Sequence, residues 1–119
     1  MKDSSRARVA AVVAAAANAK RISSIYDYLA SSYRSISAEV DTGRISGYDY
    51  STSSHFSGGG GGQLGFFDYE TSAHVQLTLE DKRFSGYDYH TGQHFSGTVN
   101  GHSVSLYDYQ TGQYYNYSA

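Results

Sequence analysis

The sequence predicts an α+β fold in which an N-terminal helix packs on a strongly curled or barrel-like antiparallel β-meander. Three observations support this: an alanine-rich start, alternating polar and apolar residues after position 44, and a motif that recurs about every 20 residues. The motif is an aromatic residue, aspartate and tyrosine, followed by a turn. Its first residue is Tyr48, Phe67, Tyr87 or Tyr107. We expect four hairpin repeats, and therefore eight strands.

Composition fits a single small domain over residues 1–119. The chain contains 13 tyrosines and no cysteine, proline or tryptophan, which excludes disulfides and thiolate metal sites. Residues 1–44 carry seven Lys or Arg against four Asp or Glu, whereas residues 45–119 carry two against seven. The two parts should therefore attract each other within one fold. No basic cluster is dense enough to favour nucleic acid, and no apolar run is long enough to span a membrane.

Residues 1–43 are interpreted as a helical segment, with helix over residues 4–40. Alanine is the strongest helix former, and residues 7–19 are nearly saturated with it. Apolar residues recur at intervals of three or four as far as Val40, which predicts one apolar stripe. Pairs of serines could interrupt this pattern, so one long helix and two shorter helices both stay open.

The bounds of this helix follow from capping preferences. Asp3 or Ser4 could cap its start, and Gly43 suits its end. A further Tyr-Asp-Tyr copy at residues 26–28 falls within the helical pattern and lacks the usual turn sequence after it. We assign it to the helix.

Residues 44–119 are interpreted as the repeat β-meander. Asn100-Gly101 is typical of a two-residue hairpin turn, and counting back from it pairs Phe95 with Leu106 and His94 with Tyr107. In the same way a turn at Glu80-Asp81 pairs Leu77 with Phe84, and the Thr-Gly turn pairs Tyr89 with His94. The glycine run at residues 58–62 is expected to form a turn that needs a positive φ.

Alternation divides these strands into two faces. The inward face is expected to carry Ile45, Phe56, Phe66, Leu77, Leu79, Phe84, Phe95, Val99, Val104, Leu106 and Tyr115. Strand glycines on the same face, at Gly47, Gly58, Gly86 and Gly97, indicate the close approach of another backbone, and we expect the helix to lie along them. An eight-stranded barrel with the helix outside is the alternative architecture.

The outward face is rich in tyrosine and histidine. Cross-strand aromatic pairs stabilise sheets, and exposed aromatic surface also suits binding. The candidate binding residues are Tyr48, Tyr50, Tyr69, Tyr87, Tyr89, Tyr107, Tyr109, His55, His74 and His94. Phe67 and Tyr114 share this face.

Catalytic and metal chemistry find little support in the sequence. The three histidines of the outward face fall on alternate strands, about 10 Å apart, which is too far for a shared metal. The motif aspartates precede their turns by a fixed offset, so we expect them to bond turn amides or the threonine hydroxyl. We therefore expect no enzyme activity, no metal and no cofactor.

The Tyr-Asp spacing resembles that of the YD repeats of secreted toxin shells. In those repeats glycine follows the Tyr-Asp pair one position sooner, arginine usually comes next, and the arrays are far longer. Because the pattern departs in these respects, we assign the chain to no family.

The leading functional hypothesis is a non-catalytic interaction or assembly module, in which the tyrosine and histidine face or the helix contacts a protein partner or another copy of the chain. A homo-oligomer is therefore expected. A carbohydrate-binding module is the second hypothesis, and a small enzyme or ligand carrier with a site in a barrel mouth is the third. A cytoplasmic location is expected, with export through the signal-like N-terminus as the alternative.

Overall fold

The computed structural model describes residues 1–60 and 63–119. Over these residues it contains one helix and eleven strands. In chain order they are α1 (Asp3–Asn18), β1 (Ile25–Asp27), β2 (Ser32–Arg34), β3 (Ile36–Asp41), β4 (Arg44–Asp49), β5 (Ser54–Gly60), β6 (Gln63–Asp68), β7 (Ala73–Glu80), β8 (Arg83–Asp88), β9 (Gln93–Asn100), β10 (Ser103–Asp108) and β11 (Gln113–Ser118). The α+β class and the antiparallel meander are confirmed. Eight strands, β4 to β11, lie within residues 44–119 as expected, but the total of eight is wrong because three further strands lie within residues 25–41.

All eleven strands belong to one sheet, in the order β2-β1-β11-β10-β9-β8-β7-β6-β5-β4-β3. The strands at the two ends of this order, β2 and β3, are separated in the chain only by Ser35. Ile22, just before β1, also forms an antiparallel bridge with Ala38 of β3. The sheet therefore curls until its ends nearly meet and forms a nearly closed barrel.

The helix lies inside this barrel. Residues 4–15 of α1 are buried on every side of the helix, including the polar side chains of Ser5, Arg6 and Arg8. A helix buried all round needs an apolar or neutralised surface everywhere, and small alanine and valine side chains let the strands approach it closely. The expectation of a single apolar stripe is therefore wrong, as is the alternative of a helix outside a barrel.

Helix α1 ends at Asn18, so the helix expected over residues 4–40 is wrong beyond that point, whether as one helix or two. Ala19 adopts a left-handed conformation with φ 50°, and its amide donates to the carbonyl of Ala16. The next amide, of Lys20, donates to the carbonyl of Ala15, which completes a common helix-terminating hydrogen-bond pattern.

The expected helix caps are also wrong. The residue before the helix, Lys2, makes no side-chain capping hydrogen bond, and Asp3 and Ser4 lie within α1. Gly43 instead occupies the β3–β4 turn with φ 77°. Residues 26–28 lie in β1 and the turn after it, so the Tyr-Asp-Tyr copy there is not helical.

The division into inward and outward faces is confirmed. Every side chain expected to face inward is buried except that of Leu79, which is half-buried against the core, and the inward strand glycines are half-buried. Phe84, Phe95 and Leu106 lie in the core, while Tyr87, His94 and Tyr107 lie on the outer surface.

The expected registers, in contrast, are wrong by two residues. Phe95 pairs with Asp108, where Leu106 was expected, and His94 pairs with Tyr87. Leu77 likewise pairs with Gly86 and not with Phe84. A shift of two keeps each side chain on its face, because the side-chain period of a strand is two.

Three turns explain these shifts. The β7–β8 loop is Asp81-Lys82 and the β9–β10 loop is Gly101-His102, each one residue later than expected, and Gly101 has φ 59°. The β8–β9 loop is residues 89–92, one residue earlier than expected, and Asp88 accepts from the amide of His90 within it. The β8–β9 loop therefore moves the register in the opposite direction from the other two loops.

The strand glycines make room for phenylalanine rings and neighbouring backbone. A Cβ on Gly47 would lie 2.2 Å from the ring of Phe56, and one on Gly86 would lie 2.5 Å from the ring of Phe95. No helix atom is among the nearest neighbours of these glycines, so the expectation that they mark the approach of α1 is wrong. Aromatic rings that cover a cross-strand glycine are a known way to stabilise a sheet.

The glycine run behaves only partly as expected. Gly58 to Gly60 belong to β5, and the register with β6 shifts between Gly58 and Gly60. Gly59 has the positive φ that was expected, 88°. The remainder of the expected turn, Gly61 and Gly62, lies outside the described residues.

Candidate functional site

The motif aspartates gather at one end of the barrel, inside the sheet. Five aspartates form this acidic ring: Asp27, Asp49, Asp68, Asp88 and Asp108. Each ends its strand, and all five are buried. In every copy Oδ1 accepts a hydrogen bond from the backbone amide two residues later, at 2.9–3.1 Å. The expectation that these aspartates bond turn amides is confirmed.

The second carboxylate oxygen of three ring members points to the first turns of α1. The guanidinium of Arg8 lies 3.0 Å from Asp49 and 2.6 Å from Asp68. Arg6 and the amino group of Met1 lie 3.2 Å and 3.1 Å from Asp108. Buried charges are costly unless paired, so these contacts allow the charged end of the helix to enter the barrel.

Glu70, just beyond the ring, completes the environment of Arg8. It lies 2.7 Å from the guanidinium and also accepts from the Ser4 hydroxyl at 2.8 Å. Burial alone would raise the pKa of Glu70, but the hydrogen bonds from Arg8, Ser4 and Lys2 lower it to about 2. Burial likewise opposes the charged form of Arg8, yet Glu70, Asp68 and Asp49 raise its pKa above the ordinary value.

The other two ring members have different partners. Asp27 accepts from Arg34 of β2 at 2.8 Å. Asp88 accepts from the hydroxyl of Thr91 at 3.0 Å, and across residues 1–60 and 63–119 it has no ion-pair partner. The five aspartates therefore make the same hydrogen bond to their turns but have different partners on the side that faces the helix.

On the outside of the barrel the same motif copies build five aromatic triads. In each triad the motif's first aromatic ring packs edge-to-face against the motif's tyrosine and against an aromatic ring on the adjacent strand. The ring centroids lie 4.6–5.0 Å apart. The triads are Tyr26/Tyr28/Tyr33, Tyr48/Tyr50/His55, Phe67/Tyr69/His74, Tyr87/Tyr89/His94 and Tyr107/Tyr109/Tyr114.

All ten residues named as candidate binding residues lie in these triads. The structure brings them together in separate groups around the outside of the barrel and does not join them into one cluster. The histidines are the clearest case, since the imidazole rings of His55, His74 and His94 each pack on the central ring of their own triad. Within the described ranges no group of three or more His, Asp or Glu side chains is arranged to hold a metal ion.

The sequence-based prediction missed three exposed apolar side chains at the β1–β2 turn. Tyr28, Leu29 and Tyr33 are 57%, 69% and 73% exposed and surround the β1–β2 turn. Tyr50 and Tyr33 line a groove of about 470 Å³ beside this turn. We call these four residues the tip patch. The Tyr-Asp-Tyr letters at residues 26–28 were the available signal, but the helical spacing around them outweighed it.

Two wider tests add little about identity. In the part of the chain that the structure describes, no helix has the length and apolar character needed to cross a membrane. No protein-family model, curated protein or solved structure matches this chain.

Proposed function

We propose that this protein is a non-catalytic interaction or assembly module whose outer aromatic surface contacts another copy of itself or a protein partner. The observation that carries the proposal is the exposure of the motif tyrosines: Tyr28, Tyr50, Tyr69, Tyr89 and Tyr109 are all more than half exposed. Tyrosine offers large, stiff contact area with a polar tip, and protein interfaces are enriched in it.

The surroundings of these tyrosines strengthen the proposal. Serine, threonine, glycine and glutamine fill much of the remaining outer face, and tyrosine with such small polar residues is the composition of antibody paratopes. The triads are held by edge-to-face contacts, so less conformational entropy is lost when they bind.

Among the parts of this surface, the tip patch fits a protein partner best. It combines the exposed aliphatic side chain of Leu29 with three tyrosines, and contiguous exposed apolar surface is typical of interaction sites. Helix α1, the other contact surface considered from the sequence, is enclosed by the sheet. Because α1 also occupies the inside of the barrel, the outer surface is favoured over a barrel-mouth site.

Two further parts of the proposal concern organisation and location. We propose that residues 44–119 consist of four hairpin repeats of about 20 residues within one domain.

We also propose a cytoplasmic location, because cleavage of a signal peptide near residue 19 would remove α1, which fills the barrel. N-terminal sequencing of the protein from cells would find α1 removed if export with cleavage occurred instead.

Sedimentation velocity over a range of concentrations tests the assembly form of the proposal. We expect reversible self-association, weakened at least about tenfold in a Leu29→Ser/Tyr33→Ser variant, because central apolar anchors dominate interface energies. Tyr69→Ala, in a triad outside the tip patch, is the matched control and should associate as the unmodified protein does. A strict monomer at all concentrations, or equal loss in the control, would contradict self-assembly through the tip patch.

A further inference from the structure

Two grooves on the outer surface share the same set of four lining side chains, two serines, a histidine and a tyrosine. One, of about 520 Å³, lies over β4 and β5 and is lined by Ser46, His55, Ser57 and Tyr69. The other, of about 360 Å³, lies over β8 and β9 and is lined by Ser85, His94, Ser96 and Tyr109. Both volumes fall in the range of about 300–1,000 Å³ that is usual for small-molecule sites.

Backbone pairing makes the two grooves equivalent. The two serines of each groove face each other across a strand pair, Ser46 with Ser57 and Ser85 with Ser96. The tyrosine of each groove is tied to the histidine by a backbone hydrogen bond, 3.2 Å long from Tyr69 to His55 and 3.3 Å from Tyr109 to His94. The floors match as well, since each is a glycine beside a phenylalanine.

The chemistry of the lining indicates a neutral, hydroxyl-rich ligand. Serine hydroxyls and an imidazole offer donors and acceptors, the tyrosine ring offers an apolar wall, and no Lys, Arg, Asp or Glu is among the described residues that line either groove. The apolar C–H face of a pyranose matches the tyrosine ring, and its rim of hydroxyls matches the serine hydroxyls and the imidazole. We infer that each groove binds one neutral pyranose unit, so that the domain is bivalent for glycans.

A third place on the outer surface, between these two grooves in the chain, serves as an internal comparison. The amide of Tyr89 donates to the carbonyl of His74 at 3.1 Å, so a tyrosine and a histidine meet there in the same way. However, the position two before the motif is Gly65, and the position two after the histidine is Gln76. The serine pair is therefore absent at this intermediate place, and we expect no pyranose binding there.

Glycan binding in these grooves goes beyond the proposed function, and the variants that test it lie outside the tip patch. The grooves depend on Tyr69 and Tyr109, whereas the proposed protein contact depends on Leu29 and Tyr33. Glycan binding and self-association can therefore fail independently. Sedimentation velocity on the protein samples used for the glycan test measures self-association separately, so loss of one property can be told from loss of the other.

The test is an array of neutral oligosaccharides ending in glucose, galactose, mannose or N-acetylglucosamine. The unmodified protein should bind at least one of these sugars. Tyr69→Ala and Tyr109→Ala should each weaken array binding by about a hundredfold because bivalent attachment is lost, while Tyr89→Ala should stay within about twofold. The Tyr69→Ala/Tyr109→Ala double variant should fall to background.

A second pair of variants distinguishes loss of glycan binding from loss of folding. Ser57→Ala and Ser96→Ala remove one hydroxyl from each groove without removing an aromatic ring, and together they should also abolish array binding. Equilibrium dialysis with the methyl glycoside of the bound sugar should count two sites in the unmodified protein and one in Tyr109→Ala. A blank array at high protein concentration, a single site, or a Tyr89→Ala variant as weak as Tyr69→Ala would each overturn the inference.

Discussion

The inner and outer faces of the Tyr-Asp-Tyr copies follow different rules. Outside, the five triads repeat almost the same edge-to-face geometry, with centroid distances that differ by only a few tenths of an ångström. Inside, the five aspartates share their turn hydrogen bond but have unequal other partners. Asp49 and Asp68 meet the guanidinium of Arg8, whereas Asp88 meets only the hydroxyl of Thr91 among the described side chains.

The difference lies in where the partners come from. Each triad is built from one motif copy and an adjacent strand, so identical letters produce identical contacts. The inward carboxylate oxygens of Asp49, Asp68 and Asp108 meet residues of α1, and the contacts of Arg8 with Asp49 and Asp68 join residues 41 and 60 positions apart. A single helix cannot present the same side chain to five surrounding strands, so repetition ends at the inner face.

The largest expected effect compares two ring members. Asp68→Asn removes one carboxylate from the buried Arg8 cluster and should lower the free energy of unfolding by about 3 kcal/mol. Asp88→Asn should lower it by less than about 1 kcal/mol, because an amide can still accept from the turn amide and bond Thr91. Urea denaturation at neutral pH measures both. Equal losses would mean that the turn hydrogen bond, and not the helix contact, determines how much each aspartate contributes to the free energy of unfolding.

The next effect concerns pH. The pKa of Glu70 is about 2 in the folded protein against an ordinary value of 4.5. Because the folded-state pKa is the lower one, the stabilisation is complete above pH 4.5 and is lost as the pH falls towards about 2. Allowing for partial solvent exposure, it amounts to about 2 kcal/mol.

Glu70→Gln isolates this contribution. The variant should be less stable than the unmodified protein at pH 7, and the two stabilities should converge as the pH is lowered through that window. Chemical denaturation at a series of pH values measures the difference. A gap that stays constant from pH 7 down to about pH 2 would rule out the charged contact between Glu70 and Arg8 as its cause.

The smallest effect on the free energy of unfolding is expected on the outer face of the barrel. Tyr50→Ser and Tyr89→Ser each remove one exposed ring from a triad and should cost about 0.5 kcal/mol in unfolding free energy. The two losses should be equal, because both triads consist of two tyrosines and a histidine in the same geometry. Thermal unfolding of the two variants in parallel makes the comparison. Unequal losses would show that the triads depend on more than local contacts.

Part of this structure was predictable because it follows from short-range rules. Alternation placed Phe84 and Leu106 inside and Tyr87 outside, and that division survived a register shift of two residues. The turn role of Asp88 and Asp108 was predictable as well, since a carboxylate next to a turn bonds the nearest free amide.

The region from residue 19 to 41 was not predictable by the same means. Apolar spacing there fits a helix, yet Ile36 and Ala38 also alternate as in a strand, and short segments allow both patterns. Strand is favoured over helix in this region by pairing within the barrel, because β1 pairs with β2 and also with β11, which lies far along the chain.

Sequence alone determined which side chains face in and which face out, because that depends only on the two-residue period of a strand. Tertiary structure decided that α1 lies within the sheet and that Arg6 and Arg8 are buried with it. The physical reason is charge: an arginine can enter a barrel only where carboxylates meet it, and those carboxylates reach the helix only after the sheet has curled around it.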